Sequence, residues 1–344
     1  MRFTFIISAT IFLSCNLSKK HEPRTIERSF YFWKSVFKLS TQEKDALTNL
    51  KIQNLYIKYF DVDWNTSNNK ALPVAQLTAP DSFFLRTTQL NIVPTVFITN
   101  ETIFKINIDQ TEALANKIII LVNSMNSNFG VKLINELQID CDWTAGTKDK
   151  YFSLLKFLQK KQNNLNFSTT IRLHQIKYLN KTGVPPVKKG MLMCYNMGNL
   201  SNINTSNSIL DVDDLKKYIG DLQNYPLPLD LALPIFEWKV LFRQNVFKGI
   251  LENMPDSLIT QNIFSKKANR YEALIDTVLQ GYDIKKNDII RTEKSNYTSV
   301  LKTAKLISEK LSGNTVRVSF FHLDNLTLKK YKLHEMENIY DAMR

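Results

Sequence analysis

The stretch of sequence that decides the fold is residues 136–143, ELQIDCDW. Its apolar and polar residues alternate, which is the period of a β-strand. In a strand of a closed barrel, alternate side chains face the barrel interior and the surrounding helices in turn. The apolar set is Leu137, Ile139 and Cys141, and the polar set is Gln138, Asp140 and Asp142. A barrel would therefore enclose two carboxylates and an amide, unless the strand ends early and leaves the aspartates exposed in a loop.

Strand-like segments with helical patterns between them extend from this stretch in both directions. The other seven strand-like segments are residues 29–35, 54–61, 92–99, 166–174, 190–197, 230–237 and 316–323. Helical patterns occupy residues 111–125, 148–162, 212–222 and 326–342. Eight strands that alternate with helices predict an α/β fold, a closed (β/α)8 TIM barrel. The rival is an open doubly wound sheet, but no Gly-x-Gly-x-x-Gly or phosphate loop follows any strand.

The connection between the seventh and eighth strands, residues 239–315, is too long for one crossover helix. It contains helical patterns at residues 267–280 and 297–311. We expect an insertion that packs over or beside the barrel mouth, since long connections after barrel strands carry binding surface. The barrel domain, with this insertion, would span residues 29–344. Asn-rich loops at 65–69 and 199–207 would lie on the same face.

The first residues have the pattern of a secretion signal. Met1-Arg2 is followed by an apolar run over residues 3–13 and then by Ser14-Cys15. This resembles a bacterial lipobox, which implies a signal peptide over residues 1–15, diacylation of Cys15 and a polar tether over residues 16–28. The alternative is a core helix with a chance cysteine. We expect a lipid-anchored protein of the cell envelope, because no later apolar run is long enough to cross a membrane.

The overall composition excludes several classes of protein. The 344 residues are 44% hydrophobic and 22% charged, which is typical of a globular domain. The net charge of +13 suggests affinity for acidic glycans or an anionic membrane, but no nucleic-acid motif accompanies it. We predict no nucleic-acid partner, no cofactor and a monomer. We predict no metal site either, since the histidines are dispersed and Cys141 and Cys194 read as packing residues, with a disulfide between them left open.

Polar and aromatic residues follow several strands at the ends where barrel enzymes assemble their sites. The candidate polar residues are Asp140, Asp142, Arg172, His174, Asn196 and Glu237. The candidate aromatic residues, which could stack on sugar rings, are Trp33, Trp64, Trp143, Tyr195 and Trp238. Core packing is the alternative role for each aromatic residue.

Three of these segments resemble a known family. Residues 139–144, IDCDWT, resemble the Asp-x-Asp-x-Glu strand of glycoside hydrolase family 18, the chitinase-like TIM barrels. Residues 193–196, MCYN, are similar to its Met-x-Tyr-Asp segment, and residues 233–238, LPIFEW, to a late Leu-Pro strand. The likeness covers Phe30 to about Leu323 in strand order and extends to uncharacterised envelope lipoproteins with such barrels. It implies a carbohydrate ligand.

The departures from that family are specific. The resemblance implies a glutamate as proton donor where this chain has Thr144, and an aspartate where it has Asn196. A threonine hydroxyl cannot replace a carboxylic acid as a donor near neutral pH. The family's mechanism therefore cannot operate here unchanged.

Two hypotheses remain. In the first, the chain is an altered glycoside hydrolase, in which Glu237, buried beside the apolar Phe236 and Trp238, is the acid and Asp142 is the nucleophile or base. Asp140 is a further candidate catalytic residue, and Arg172 or His174 would tune the charge. In the second, the chain is a non-catalytic lipoprotein that binds glycans or acts as an envelope scaffold, with the aromatic residues retained as a sugar platform.

Overall fold

The computed structural model describes residues 23–80, 82–251 and 254–344. In these residues the central sheet consists of eight parallel strands and one short antiparallel strand, Lys70–Val74, which pairs with the second of them. The parallel strands are β1 (Thr25–Phe32), β2 (Asn54–Asn65), β3 (Asn91–Ile98), β4 (Glu136–Asp140), β5 (Asn166–Arg172), β6 (Lys189–Met193), β7 (Leu229–Pro234) and β8 (Thr315–Phe321). β1 pairs with β8 on one side and with β2 on the other, so that Phe30 lies level with Phe320 and with Leu55. The sheet is therefore closed, and the prediction of a (β/α)8 barrel is confirmed.

Helices cover the outside of the barrel. They are α1 (Thr41–Asn49), α2 (Phe83–Thr87), α3 (Asn100–Lys105), α4 (Thr111–Phe129), α5 (Lys148–Lys161), α6 (Leu173–Lys177), α7 (Leu179–Thr182), α8 (Val212–Lys216), α9 (Tyr297–Ser308), α10 (Asn325–Leu328) and α11 (Leu333–Asp341). Short 3-10 turns occupy Ile108–Gln110, Leu222–Asn224 and Asp256–Leu258. No helix of the described residues combines the length and the apolar character needed to cross a membrane.

Element boundaries differ from the sequence predictions where loops shape the mouth. The fourth strand stops at Asp140, so Asp142 belongs to the loop that follows it. The helix predicted over residues 326–342 is divided into α10 and α11. Conversely, α4 continues to Phe129, where Gly130 ends it with a left-handed φ of 71°. A helix continues until its backbone meets such a stop, which periodicity alone does not reveal.

The insertion is an antiparallel sheet with its own small core. Its five strands are Glu237–Arg243, Val246–Leu251, Phe264–Lys267, Arg270–Ala273 and Ile289–Lys294, and a hairpin joins Thr277–Leu279 to Tyr282–Ile284. The helix predicted over residues 267–280 is wrong. Ala268 and Gln280 have left-handed φ values of 55° and 48°, which turn the chain sharply and cannot continue a right-handed helix. The second helical pattern forms α9, which contacts α8 and α11 of the barrel layer.

The lower part of the barrel interior is filled by a hydrogen-bonded network. The Tyr31 hydroxyl donates to Gln138 Oε1 at 2.6 Å, so Gln138 points into the barrel as predicted. Below it, Arg317 pairs with Glu136 at 2.7 Å and with Glu27 at 2.9 Å. Because this network closes the lower end, the larger open space lies at the carboxyl ends of the strands.

We expect Arg317→Met to lower the free energy of unfolding by about 3 kcal/mol, because it leaves the largely buried Glu136 carboxylate, and the part-exposed Glu27, without their cation. Urea denaturation followed by circular dichroism measures the change. Lys181→Met, at an exposed position on α7, is the matched control and should change stability by less than about 0.5 kcal/mol. An Arg317→Met variant as stable as this control would contradict a stabilising role for the network.

Candidate active site

A cavity of about 1040 Å³ opens at the carboxyl ends of the barrel strands. This mouth cavity is lined by residues from the barrel and from the insertion, which contributes Ile250 and Leu251. The sequence-predicted residues in its wall are Trp33, Asp140, Asp142, Arg172, Tyr195, Asn196, Glu237 and Trp238. The structure thus brings most of the candidate residues together on one surface.

Arg172 links Asp140, the last residue of β4, to Asp142 in the loop that follows it. Its Nη2 lies 3.2 Å from Asp140 Oδ1, and its Nε donates to Asp142 Oδ1. Asp140 is buried and also accepts a hydrogen bond of 2.6 Å from Thr170, whereas about half of the Asp142 side chain is exposed. The guanidinium therefore contacts both carboxylates within the wall of the cavity.

The charges of this group are strongly perturbed. Burial raises the pKa of Asp140, the Arg172 cation opposes that rise and the neighbouring Asp142 adds to it. For Arg172, burial alone would lower the pKa, but the two carboxylates raise it above its usual value. A carboxylate and guanidinium at this separation stabilise each other's charged forms. The arrangement therefore holds a permanent cation in the wall of the mouth cavity.

Glu237, the second predicted catalytic carboxyl, is also occupied by cations. Its Oε1 forms an ion pair with the Lys330 ammonium group, and Lys330 lies between α10 and α11. The buried Lys239 ammonium is 3.9 Å from the same oxygen and 2.6 Å from Asp256. The sequence analysis placed Glu237 among apolar neighbours, but its nearest charged neighbours are these two lysines.

Five aromatic rings form a continuous wall of the mouth cavity. Phe321 is at its centre, with ring centroids 5.5 Å from Trp33, 5.2 Å from Tyr195 and 5.7 Å from Phe236. Phe236 in turn contacts Trp238 at 5.4 Å. Phe321 was missed by the sequence analysis, although its position at the end of the eighth strand could have indicated it.

The insertion fixes the position of Trp238. The indole Nε1 donates to Glu293 Oε2 at 2.7 Å, and the buried Glu293 also accepts from the Ser208 backbone N–H at 3.0 Å. Arg291, fully buried beside Glu293, donates to the backbone carbonyls of Leu200 and Asn202. The Asn-rich loop after β6 and the last ring of the aromatic wall are thus held by one pair of charges.

Lys58 and Asp61, in the middle of β2, are further members of the wall that the sequence analysis missed. Their side chains form an ion pair of 3.0 Å, and Lys58 lies 5.6 Å from the ring centre of Trp33. Burial raises the pKa of Asp61, and Lys58 opposes this rise. Polar residues within an apolar strand were the available signal.

Some predicted residues lie elsewhere. Trp143 is fully buried in the helical layer, where it stacks on Tyr151 at 5.2 Å and donates to the Thr182 carbonyl, so the prediction that it lines the mouth is wrong. Trp143 has the same parity as Leu137, Ile139 and Cys141, which face the helices, and it follows them to that side. Trp64 is half-buried beside the short strand Lys70–Val74, outside the cavity wall.

His174 and Thr144 also lie outside the wall of the mouth cavity. His174 is half-buried on α6, and burial lowers its pKa, although the nearby Asp142 acts in the opposite direction. Thr144 is exposed, and its backbone N–H donates to Thr147 Oγ1 at 2.9 Å just before α5. Within the described residues, no three His, Cys, Asp or Glu side chains are arranged to hold a metal ion.

Comparison with known proteins identifies the architecture. No family model and no curated protein sequence matches the chain. Among solved structures, the spore cortex-lytic enzyme SleL of Bacillus cereus superposes with a TM-score of 0.56 at 12% identity, covering 94% of this chain and 75% of that chain. A chitinase from Bacteroides thetaiotaomicron gives 0.53 at 14%, covering 94% and 97%. A chitinase from Chromobacterium violaceum ATCC 12472 gives 0.51 at 11%, covering 93% and 98%.

At these identities the likeness shows the fold alone. The chain shares a (β/α)8 barrel fold with these three proteins over nearly its whole length. Function has to be argued from the site itself.

We expect Arg172→Met to make stability more dependent on pH. Removing the cation that opposes burial raises the folded-state pKa of Asp140 further above its unfolded value of about 3.9. A carboxyl with a raised folded-state pKa destabilises the fold while ionised, so the variant should gain stability as the pH falls from above that pKa towards about 4. Guanidinium denaturation at a series of pH values measures the gain.

Arg172→Lys is the control, because it keeps one positive charge but loses the fork that reaches both carboxylates. Its gain in stability should fall between those of the wild type and Arg172→Met. Superimposable pH profiles for the wild type and Arg172→Met would show that Arg172 does not compensate the buried carboxyl.

Proposed function

We propose that the mouth cavity binds a carbohydrate chain of an extracellular or envelope glycan, and that the protein does not cleave it by the acid-base step of the family it resembles. The wall of Trp33, Tyr195, Phe236, Trp238 and Phe321 supports binding, since aromatic faces with polar groups around them suit the apolar faces of sugar rings. The polar groups are available on the same surface, among them Asn196, Lys58 and Asp142.

The position of Arg172 is the single observation that carries the non-catalytic part of the proposal. Arg172 binds both aspartates of residues 139–144, the segment that resembles the family's motif, and Asp142 accepts this contact at its Oδ1. The residue at the proton-donor position, Thr144, is exposed outside the cavity wall and has no acidic group to offer. The cavity therefore has the aromatic and polar groups needed to bind a sugar, but Thr144 offers no carboxylic acid to cleave it.

A glycoside hydrolase with an altered carboxyl pair is the second candidate function. The observation in its favour is that Asp142 and Glu237 line the same cavity, as such a pair must. Against it, both carboxylates are engaged by cations, Arg172 and Lys330 respectively. A substrate would have to displace these contacts before either group could exchange a proton.

We further propose that the chain is exported and lipid-anchored through Cys15. The support is the sequence alone, a charged start, an apolar run and a cysteine after Ser14. Residues 1–22, which include Cys15 and most of the tether, lie outside the described residues. A glycan ligand and an envelope location are mutually consistent.

The proposed ligand class is tested first with oligosaccharides of N-acetylglucosamine, because two of the structural neighbours are chitinases. Titration calorimetry should detect binding of the tetramer to the wild type. Trp238→Ala should weaken it by at least about tenfold, or ~1.4 kcal/mol, through loss of a stacking face. Trp64→Ala, at a half-buried tryptophan outside the wall, is the matched control and should bind like the wild type.

The same samples decide between the two functions. On the proposal, prolonged incubation releases no new reducing ends. Release that disappears in both Asp142→Asn and Glu237→Gln would instead establish the altered glycoside hydrolase. Absence of binding to N-acetylglucosamine oligomers and to peptidoglycan fragments alike would contradict a glycan-binding function.

Lipid attachment is tested by expressing the full chain in a bacterial host with labelled palmitate. The wild type should incorporate label and fractionate with membranes, because a diacylated cysteine is a stable anchor. Cys15→Ser should lose both properties, while Ser14→Ala, which keeps a small residue before the cysteine, should retain them. Equal labelling of the wild type and Cys15→Ser would contradict anchoring at this residue.

A further inference from the structure

The two ends of the barrel differ in charge, and the mouth is the acidic end. Charged side chains in the wall of the mouth cavity are the carboxylates Asp61, Asp140, Asp142, Glu237 and Asp324 and the cations Lys34, Lys58 and Arg172. Carboxylates are therefore in excess of cations around this opening, although the chain as a whole has a net charge of +13.

The opposite end of the barrel is basic. In a parallel barrel the segment before each strand lies at the amino end, and these segments are residues 23–24, 50–53, 88–90, 130–135, 162–165, 183–188, 225–228 and 309–314. All of them are described by the structure, and their charged residues are the cations Arg24, Lys51, Lys132, Lys188 and Lys310 and the single carboxylate Glu309. We call this surface the amino-end face.

The amino-end face combines exposed lysines with an exposed apolar side chain. Lys51, Lys132 and Lys188 are exposed, as is Lys160 in the last turn of α5 at the border of the face. Leu133, beside Lys132, is 75% exposed, more than any other large hydrophobic side chain in the described residues. On a bilayer, lysines of this kind meet the phosphates of the headgroups while a leucine enters the boundary of the acyl chains.

The chain also enters the barrel at this face. Arg24, directly before β1, donates from its guanidinium to the carbonyls of Leu311 at 2.8 Å and Gly313 at 3.1 Å, which fixes the start of the domain at the amino end. Eight peptide units separate Cys15 from Pro23, and a chain of that length spans at most about 29 Å. An anchor at Cys15 therefore brings the amino-end face, and not the mouth, towards the membrane.

We propose that the amino-end face docks on the anionic surface of the membrane that holds the anchor, with Leu133 at the lipid boundary and the mouth cavity opening away from the bilayer. This inference rests on the proposed lipid anchor and goes beyond it, because an anchor alone leaves the domain free to rotate. Anionic lipid attracts the lysines of the amino-end face and repels the carboxylates of the mouth, so both ends of the barrel favour the same orientation.

The experiment places a fluorescent label at one end or the other of the full, lipidated chain. Leu133→Cys lies on the amino-end face, and Leu326→Cys, at an exposed leucine on α10 near the mouth, is its matched control. Cys141 and Cys194 are buried and Cys15 would carry the lipid, so the introduced thiol is the one that reacts. Each variant is labelled with a nitrobenzoxadiazole dye and reconstituted in vesicles that contain a spin-labelled lipid as quencher. The vesicles are phosphatidylcholine alone or an equal mixture of phosphatidylcholine and phosphatidylglycerol.

The label at residue 133 should be quenched at least about threefold more strongly on the mixed vesicles than on phosphatidylcholine, because docking depends on anionic lipid. The label at residue 326 should stay unquenched on both. Raising the salt concentration should remove the quenching at residue 133, since mobile ions screen the attraction between lysines and headgroups.

Charge reversal tests the lysines directly. In the Leu133→Cys background, Lys132→Glu combined with Lys188→Glu should lower the quenching on mixed vesicles to its value on phosphatidylcholine. Lys38→Glu combined with Lys105→Glu makes the same change in net charge at two exposed lysines, one in the loop after β1 and one at the end of α3. This control should leave the quenching unchanged. Thermal melting confirms that each variant is folded.

The outcomes separate docking from anchoring. If the chain carries lipid and enters the vesicles but residue 133 is not quenched on the mixed vesicles, docking is overturned and the anchor stands. Equal quenching at residues 133 and 326 would overturn the defined orientation. A blue shift at residue 133 in detergent and on vesicles alike, without quenching by lipid, would assign the face to a second copy of the chain and overturn membrane docking. A chain that acquires no lipid overturns the anchor itself, and this inference with it.

Discussion

Two carboxylates at the end of β4 require a nearby positive charge, and Arg172 of β5 supplies it to both. Moving Asp140 out of water is unfavourable, and its raised pKa records that cost even with the guanidinium 3.2 Å away. The fork of an arginine can contact two carboxylates at once, which an ammonium group cannot do with the same geometry. Both aspartates are thus paired with one cation, and this contact is the basis of our proposal that the cavity binds a glycan without cleaving it.

The insertion completes the surface that the barrel begins. Trp238 is the last ring of the aromatic wall, and it is oriented by Glu293, which is itself neutralised by the buried Arg291. A buried ion pair contributes little net stability, but removing one partner is strongly unfavourable, so the pair defines one arrangement of the chain. Here that arrangement also ties down the loop after β6. The barrel mouth and the insertion consequently form one continuous surface.

The neighbours in fold space are named for glycan-cleaving enzymes, yet the same scaffold serves a different chemistry when a few terminal side chains change. In this chain the exchange is asymmetric. The aromatic rings are present at the strand ends, whereas Asp142 and Glu237 are paired with cations. Our proposal of a surface that binds sugars without supplying a proton rests on this difference and on the resemblance that aligns Thr144 with the family's acid.

By itself, the sequence determined the eight strands, the helices around them and the inward direction of Gln138 and Asp140, because period-two alternation and helical periodicity are properties of residues close together in the chain. The sequence analysis was wrong at three places: Trp143 is buried on the helix side, the helix expected at 267–280 is strands and turns, and Phe321 was not recognised as the centre of the wall. Only the tertiary structure decided which charges meet, Arg172 with the aspartates and Lys330 with Glu237. Those pairings depend on sheet register and on loops distant in sequence, and no local pattern encodes the distance between two such side chains.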